Sequence, residues 1–396
     1  MFVEAWRLER DYFYDPGMHG VDWPAMLDKY LPLVDRVTDR AELSDLMSQM
    51  VSELAALHIF VSGGDQRRGD DNVGVATLGA RLARDAAAGG YRVERVYRSD
   101  SDDVTRKSPL ARAGVDVAAG AVIRKVNGRS TLAVADIGAL LRNQAGKQVL
   151  LHVQDADTEE ERSVIVVPIG AGQDGDLRYH EWEYTRREIV DEESDGDIGY
   201  VHLRAMGGRN FTEWAKDFYP AYNRKGLIVD VRHNRGGNID SWILSRLMRR
   251  PWFYWSQRKG HAPSWNQQYA FRGHVVVLCN ERTASDGEAF SEGFRRLELG
   301  PVIGTRTWGG LVGVSMFITM IDGGGLTAPD YRIYDPEGRW IIENEGVVPD
   351  IEVDLTPAEM AHGHDAQLMK GIEVLMEKIR AEPREAPTHP PFPVDR

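Results

Sequence analysis

The stretch HVVVLCNERTASDGEAFSEGF, residues 274–294, joins an unbroken apolar run to a polar turn and then to a pattern of helical period. A short apolar run bounded by turn residues suits a strand buried on both faces, and SDGEAFSEGF suits a helix packed beside it. The junction falls at Ser285. A serine followed three residues later by Glu288 is a capping box, in which the hydroxyl satisfies an orphan helix amide. The same position serves a nucleophile, because amides at a helix start, that of Asp286 above all, can point at an oxyanion where the helix dipole favours negative charge. On these residues alone both readings stand.

Upstream, DIGYVHLRAM (197–206), NFTEWAKDFYPAYNR (210–224), GLIVDVRHNRGGN (226–238) and SWILSRLMRR (241–250) alternate strand and helix patterns. This predicts an α/β unit over 178–382, with the acidic stretch DEESDGD (191–197) as a solvated loop and a proline-rich tail over 383–396. Residues 1–66 read as a small helical unit, ending in ELSDLMSQMVSEL. The glycine-rich stretches SGGDQRRGDDN (62–72) and GAGQDGD (170–176) read as breaks on either side of a middle unit, 72–169. Within it ARLARD, YRVERVYR, AVIRKVNGRS and VLLHVQDA read as short strands of a small β barrel, and ADIGALLRNQAG (135–146) as one helix. The order of these parts around SPLARAGVDVAAG, with turns at Gly120 and Asn127-Gly128, resembles a PDZ domain.

A formal charge of -13, from 61 acidic and 48 basic residues, argues against a general nucleic-acid binder and favours a neutral or basic peptide partner. One cysteine, Cys279, excludes an intramolecular disulfide and a thiolate-rich metal site, and its place in VVVLC reads as a structural thiol. No apolar run of about 18 residues is present and the amino terminus is amphipathic, so neither membrane insertion nor export is expected and the cytoplasm is the default. His362 and His364 lack a third ligand, and neither a metal nor a cofactor is expected.

Three further stretches bear on chemistry. In DVRHNRGGNIDS (230–241), Gly236 and Gly237 read as a turn with positive φ or as a place where a backbone amide, that of Gly237, approaches a substrate carbonyl. Arg232 and His233 beside them read as loop or pocket polar groups. In SELAALHIFVSGG (52–64), His58 reads as a helix-end histidine or as a general base, since an imidazole can accept a serine proton near neutrality. A Ser-Lys dyad is disfavoured, because no lysine occurs between Lys259 and Lys370.

Taken in order, EAWRLERDYFYDPGMHGVDW, the His58 segment, SPLARAGVDVAAG, DVRHNRGG, NERTASDGEAF and IIENEGVVPDIEV resemble the carboxy-terminal half of the tricorn protease family, within the tail-specific serine peptidases. The resemblance implies a helical first core piece, an inserted PDZ domain and a second core piece with a crotonase-like ββα spiral. It implies Ser285 as nucleophile, His58 as general base, Glu343 as the acid supporting the base, and the amides of Gly237 and Asp286 as an oxyanion hole. Glu345 is a nearby competitor for the acidic role. It further implies hydrolysis of oligopeptides or unfolded chains, and a hexameric assembly. The chain departs from the family pattern at Leu57, where the family carries a serine that links the histidine to the acid. A leucine cannot relay that hydrogen bond, so the alternative is a peptide-binding adaptor with an impaired protease core. An acyl-CoA enzyme sharing the spiral is a third reading, for which a PDZ insertion has no evident use.

Overall fold

The computed structural model describes residues 1–396 except 67, 68, 70, 101, 102, 104, 105, 157, 159, 259–262, 316, 395 and 396. Parts of the linker expected at 62–72, Lys259 and the end of the tail therefore lie outside the described residues. The chain divides into two compact units, Met1–Arg67 with Ile189–Arg396, and Arg68–Glu188. The helical first piece and the α/β piece thus belong to one unit.

At the centre of that unit is a five-stranded parallel sheet in the order Ile351–Glu352, Val302–Gly304, His274–Cys279, Gly226–Asp230, Ile198–His202. Spatial order repeats chain order, so each connection steps to the neighbouring strand in one direction. Side chains alternate between faces with period two. Val201, Leu227, Val229 and Val277 pack with Trp214, Ile243 and Phe290 from helices Gly208–Ala221, Asp240–Leu247 and Asp286–Arg296. Tyr200, Ile228, Val276 and Leu278 pack on the other side with Leu368, Ile372 and Leu375 of helix Ala366–Ala381. Both faces are covered, which is why HVVVLC carries no polar alternation.

The first piece gathers helices Phe2–Tyr12, Trp23–Tyr30 and Arg40–Ser52 around Trp23, Met47, Met50 and Leu54. Asp22 and Asp39 cap the second and third by accepting from Ala25 N and Glu42 N. Met320 and Leu326 join the same cluster, and Val61–Ser62 pairs antiparallel with Gly325–Thr327. This pairing fixes the segment carrying His58 against the α/β piece. The helix before it ends at Ser52, so His58 lies not at a helix end but in a turn, with φ 67°.

The other unit is built on an antiparallel sheet in the order Ala80–Asp85, Gly90–Val96, Val122–Val126, Val149–Gln154, Glu161–Val166, with Arg129–Ser130 paired to the third strand. The helix expected over 135–146 is one 3₁₀ turn, Ile137–Leu140. Asp136 caps it at Gly138 N, and Asn143 (φ 55°) and Gly146 (φ 76°) turn the chain away. The glycine-rich stretch 170–176, expected as a break, instead opens the helix Ala171–Glu193. Here the run of good helix formers from Leu177 onward outweighs the roughly 1 kcal/mol that each glycine costs. No helix among the described residues is long and apolar enough to cross a membrane.

Candidate active site

Six residues separate the sheet from the helix that begins at Asp286. Within this turn Asn280 N donates to Thr283 Oγ1 at 3.0 Å, and Thr283 Oγ1 donates to the Val231 carbonyl at 2.8 Å. The chain then reaches Ser285 with φ 55° and ψ -121°. A non-glycine residue held there stores about 1–3 kcal/mol of strain. Only the Glu288 half of the capping box uses a side chain: Ser285 N donates to Glu288 Oε2 at 2.9 Å, whereas Glu288 N donates to the Ser285 carbonyl at 2.8 Å. The Ser285 hydroxyl makes no cap hydrogen bond. The helix start is thus capped by Glu288 rather than by the Ser285 hydroxyl.

Facing Ser285 is the DVRHNRGG loop. A methyl group on Gly236, whose φ is 81°, would stand 2.5 Å from Ser285 Cβ and 3.2 Å from Asp286 N. Gly237 (φ 153°) bridges to Met206, and a methyl there would overlap the Met206 carbonyl. Buried Asn234 holds the turn, donating from Nδ2 to Leu203 O at 2.6 Å and accepting Gly236 N at 2.8 Å. The Gly237 and Asp286 amides donate to no acceptor among the described residues. The Asp286 carboxylate is held by other amides, accepting Ile239 N at 2.7 Å and Asp240 N at 3.1 Å. Burial and the neighbouring Asp240 push its pKa up to about 7.

Arg232 is no loop polar group. It is 1% exposed, with Nη2 at 2.6 Å from Asp230 and Nη1 at 2.7 Å from Asp365. Removing one member of such a buried set costs about 3–5 kcal/mol, so this ionic base fixes the root of the glycine loop.

Glu288 reaches beyond its helix. Its Oε1 accepts Thr307 Oγ1 at 2.6 Å and Gly309 N at 2.7 Å, and its Oε2 accepts Gly310 N at 2.9 Å. Trp308 N donates to Thr283 O at 3.0 Å, and its ring lies 5.4 Å from the His58 ring, centroid to centroid. Phe60 flanks the imidazole at 5.9 Å. The His58 carbonyl accepts Thr327 Oγ1 at 2.6 Å, and Phe60 N donates to that hydroxyl at 2.7 Å. His58 Nδ1 is buried with no hydrogen-bond partner among the described residues, and burial lowers the imidazole pKa below its ordinary 6.5.

Glu343, 2% exposed, accepts Leu57 N on Oε1 and Leu311 N on Oε2, both at 2.7 Å. Glu345 is exposed. The buried acid therefore grips the backbone on the amino side of His58 and on the carboxyl side of Gly310. A continuous set of bonds runs from Ser285 through Glu288, Gly310, Leu311 and Glu343 to Leu57. The sequence reading did not single out Thr307, Trp308 or Thr327. The pair Gly309-Gly310 in TWGG was a usable signal, of the same kind as Gly236-Gly237.

The part of the chain that holds the parallel sheet, the strained serine and the buried acid matches the model of peptidase family S41 over residues 197–353. Residues 1–52 match the tricorn protease C1 domain, and residues 76–171 the tricorn protease PDZ domain. The chain is 37% identical to tricorn protease homolog 1 of Streptomyces coelicolor over 98% of its own length and 36% of that protein's. It is 31% identical to the tricorn protease of Thermoplasma acidophilum, again over 98% of this chain and 36% of the relative. The crystal structure of the tricorn protease superposes with a TM-score of 0.89 at 30% identity, over 96% of this chain and 36% of that one. Tricorn protease and S41 peptidase models together match most of the chain, which spans little more than a third of the length of these relatives.

Proposed function

We propose that this chain carries a serine peptidase centre that hydrolyses oligopeptides or unfolded polypeptides through an acyl-enzyme. The observation that carries the reading is a serine held in a strained backbone conformation, with the unclaimed amide of Asp286 next to it and that of Gly237 in the loop whose Gly236 packs on the serine. His58 takes the proton from Ser285 Oγ as that oxygen attacks the peptide carbonyl carbon. The carbonyl oxygen becomes an oxyanion and accepts from the two amides. The protonated imidazole then gives its proton to the leaving nitrogen, and the amine product departs. Water repeats the sequence on the ester, releasing the acid and restoring Ser285.

Glu343 supports the base through the backbone in this proposal. By holding Leu57 N it fixes the residue before His58, and the serine relay that Leu57 cannot provide is not needed. Trp308, Phe60 and Thr327 fix the ring and the carbonyl of His58 from other directions. The sequential parallel strands with their three helices on one face agree with a crotonase-like ββα spiral. A β barrel for the PDZ unit, a hexamer and a cytoplasmic setting belong to the same proposal.

The unpartnered His58 Nδ1 favours a second reading, a PDZ-containing peptide binder with a weakened core. One assay separates the two. A mixed pool of unstructured peptides is incubated with the protein and with Ser285→Ala, and new amino termini are counted. The peptidase reading expects cleavage that the substitution abolishes; no cleavage by the unaltered protein sinks it.

A further inference from the structure

We propose a second ligand site, for an apolar carboxylate, at the end of the parallel sheet remote from Ser285. A cavity of about 350 Å³ there is lined by Arg250, Arg272 and Arg384. Its start is marked by Gly273 and Val275, at the amino end of the strand that leads to the serine turn. Six residues of strand, at about 3.3 Å each, put it roughly 20 Å from the turn.

The charges of this cavity are unbalanced. Glu385 is the one acid among its lining residues and Arg384 Nη2 is paired with Glu382 at 3.6 Å, which leaves the lining with more guanidinium than carboxylate charge in a chain of formal charge -13. Arg250 and Arg272 have no ion-pair partner among the described residues. Arg250 Nη1 donates to the carbonyls of Leu247 and Arg249, and Arg384 Nη1 to that of Gly273, so both guanidinium groups are braced by backbone. Arg272 is stacked 4.3 Å over the Trp265 ring and lines the cavity with no hydrogen-bond acceptor of its own among the described residues. Stacking fixes the plane and supplies some attraction, but it leaves the in-plane donors unanswered.

A carboxylate suits this geometry. It is planar, carries the complementary charge and can answer donors from two arginines at once. The walls beyond the arginines are apolar, among them Leu247, Phe271, Val275 and Leu299, so the group attached to the carboxylate is aliphatic or aromatic. A peptide ending in an apolar residue and a free organic acid share this chemistry.

Binding to the full chain is measured by calorimetry with N-acetylphenylalanine, its carboxamide, hexanoate and inorganic phosphate, on the unaltered protein and on Ser285→Ala. The expected result is saturable binding of N-acetylphenylalanine by both, with the carboxamide at least about tenfold weaker. Arg272→Met keeps a long apolar stem on Trp265, and Arg384→Ala alters a side chain at the rim; each weakens the carboxylate about tenfold or more. Hexanoate binding equal to N-acetylphenylalanine assigns the site to free organic acids, and weaker binding assigns it to peptide carboxyl termini. Equal affinity for acid and amide, tighter binding of phosphate, or unchanged affinity in both arginine variants overturns the proposal.

Discussion

Ser285 holds a conformation that its own side chain disfavours, and the cost tests whether the position is kept for chemistry. Glycine enters the region at φ 55° freely, whereas alanine keeps a Cβ and therefore the strain. Ser285→Gly is expected to unfold at higher denaturant than Ser285→Ala, by about 1 kcal/mol, while both are inactive. Equal stability of the two would remove the strain argument. At His58, burial depresses the imidazole pKa below 6.5, so the neutral imidazole persists further into acid than in a free histidine. The acid limb of kcat/KM is expected to have its midpoint below pH 6.5, and a midpoint above it would point to a carboxylate paired with the ring. Ser285, Glu288 and the two glycines were legible because each type has a local reason to be where it is. The orphaned Nδ1 and the aromatic flanks of His58 were not, since Trp308 and Phe60 meet the ring only through pairing of distant segments.

Among the elements, the parallel strands were the plainest in the sequence, because burial on both faces leaves apolar runs such as VVVLC. The helix of the PDZ unit was misread, since the spacing in ADIGALLRNQAG is helical while Asp136, Asn143 and Gly146 confine it to one turn. The turn 307–311 was invisible as an element, yet it joins Glu288 to Glu343. If Glu343 acts by holding amides, the side chain of residue 57 matters little. Leu57→Ala should keep kcat/KM within about threefold, whereas Glu343→Gln, which sets an amide N–H against one backbone donor, should lower it about 10- to 100-fold. The opposite ranking in steady-state assays would assign the support of His58 to something other than this carboxylate.

On the scale of the whole molecule, the chain's first and last segments close one unit, and its stability has a titrating group far from the serine. Glu9 is fully buried among the amino-terminal helices, and neither carboxylate oxygen has a hydrogen-bond partner among the described residues. Burial pushes its pKa from 4.5 up to about 8. The folded state thus holds this proton more tightly than the unfolded chain. The stability it permits is complete below pH 4.5 and is lost as pH rises toward 8. Glu9→Met should therefore raise the thermal midpoint at pH 8 more than at pH 5, and an equal shift at both would place the burden elsewhere. That one unit contains both the His58 segment and the serine helix could be anticipated only from the resemblance, because sequence separation carries no spatial information.

The central claim is that Ser285 is an activated nucleophile beside two free amides. Reaction of the folded protein with a fluorophosphonate, followed by mass mapping, tests it without knowledge of the substrate. The account predicts one adduct, on Ser285, lost on unfolding and in His58→Ala; an unmodified Ser285 in folded protein would contradict it.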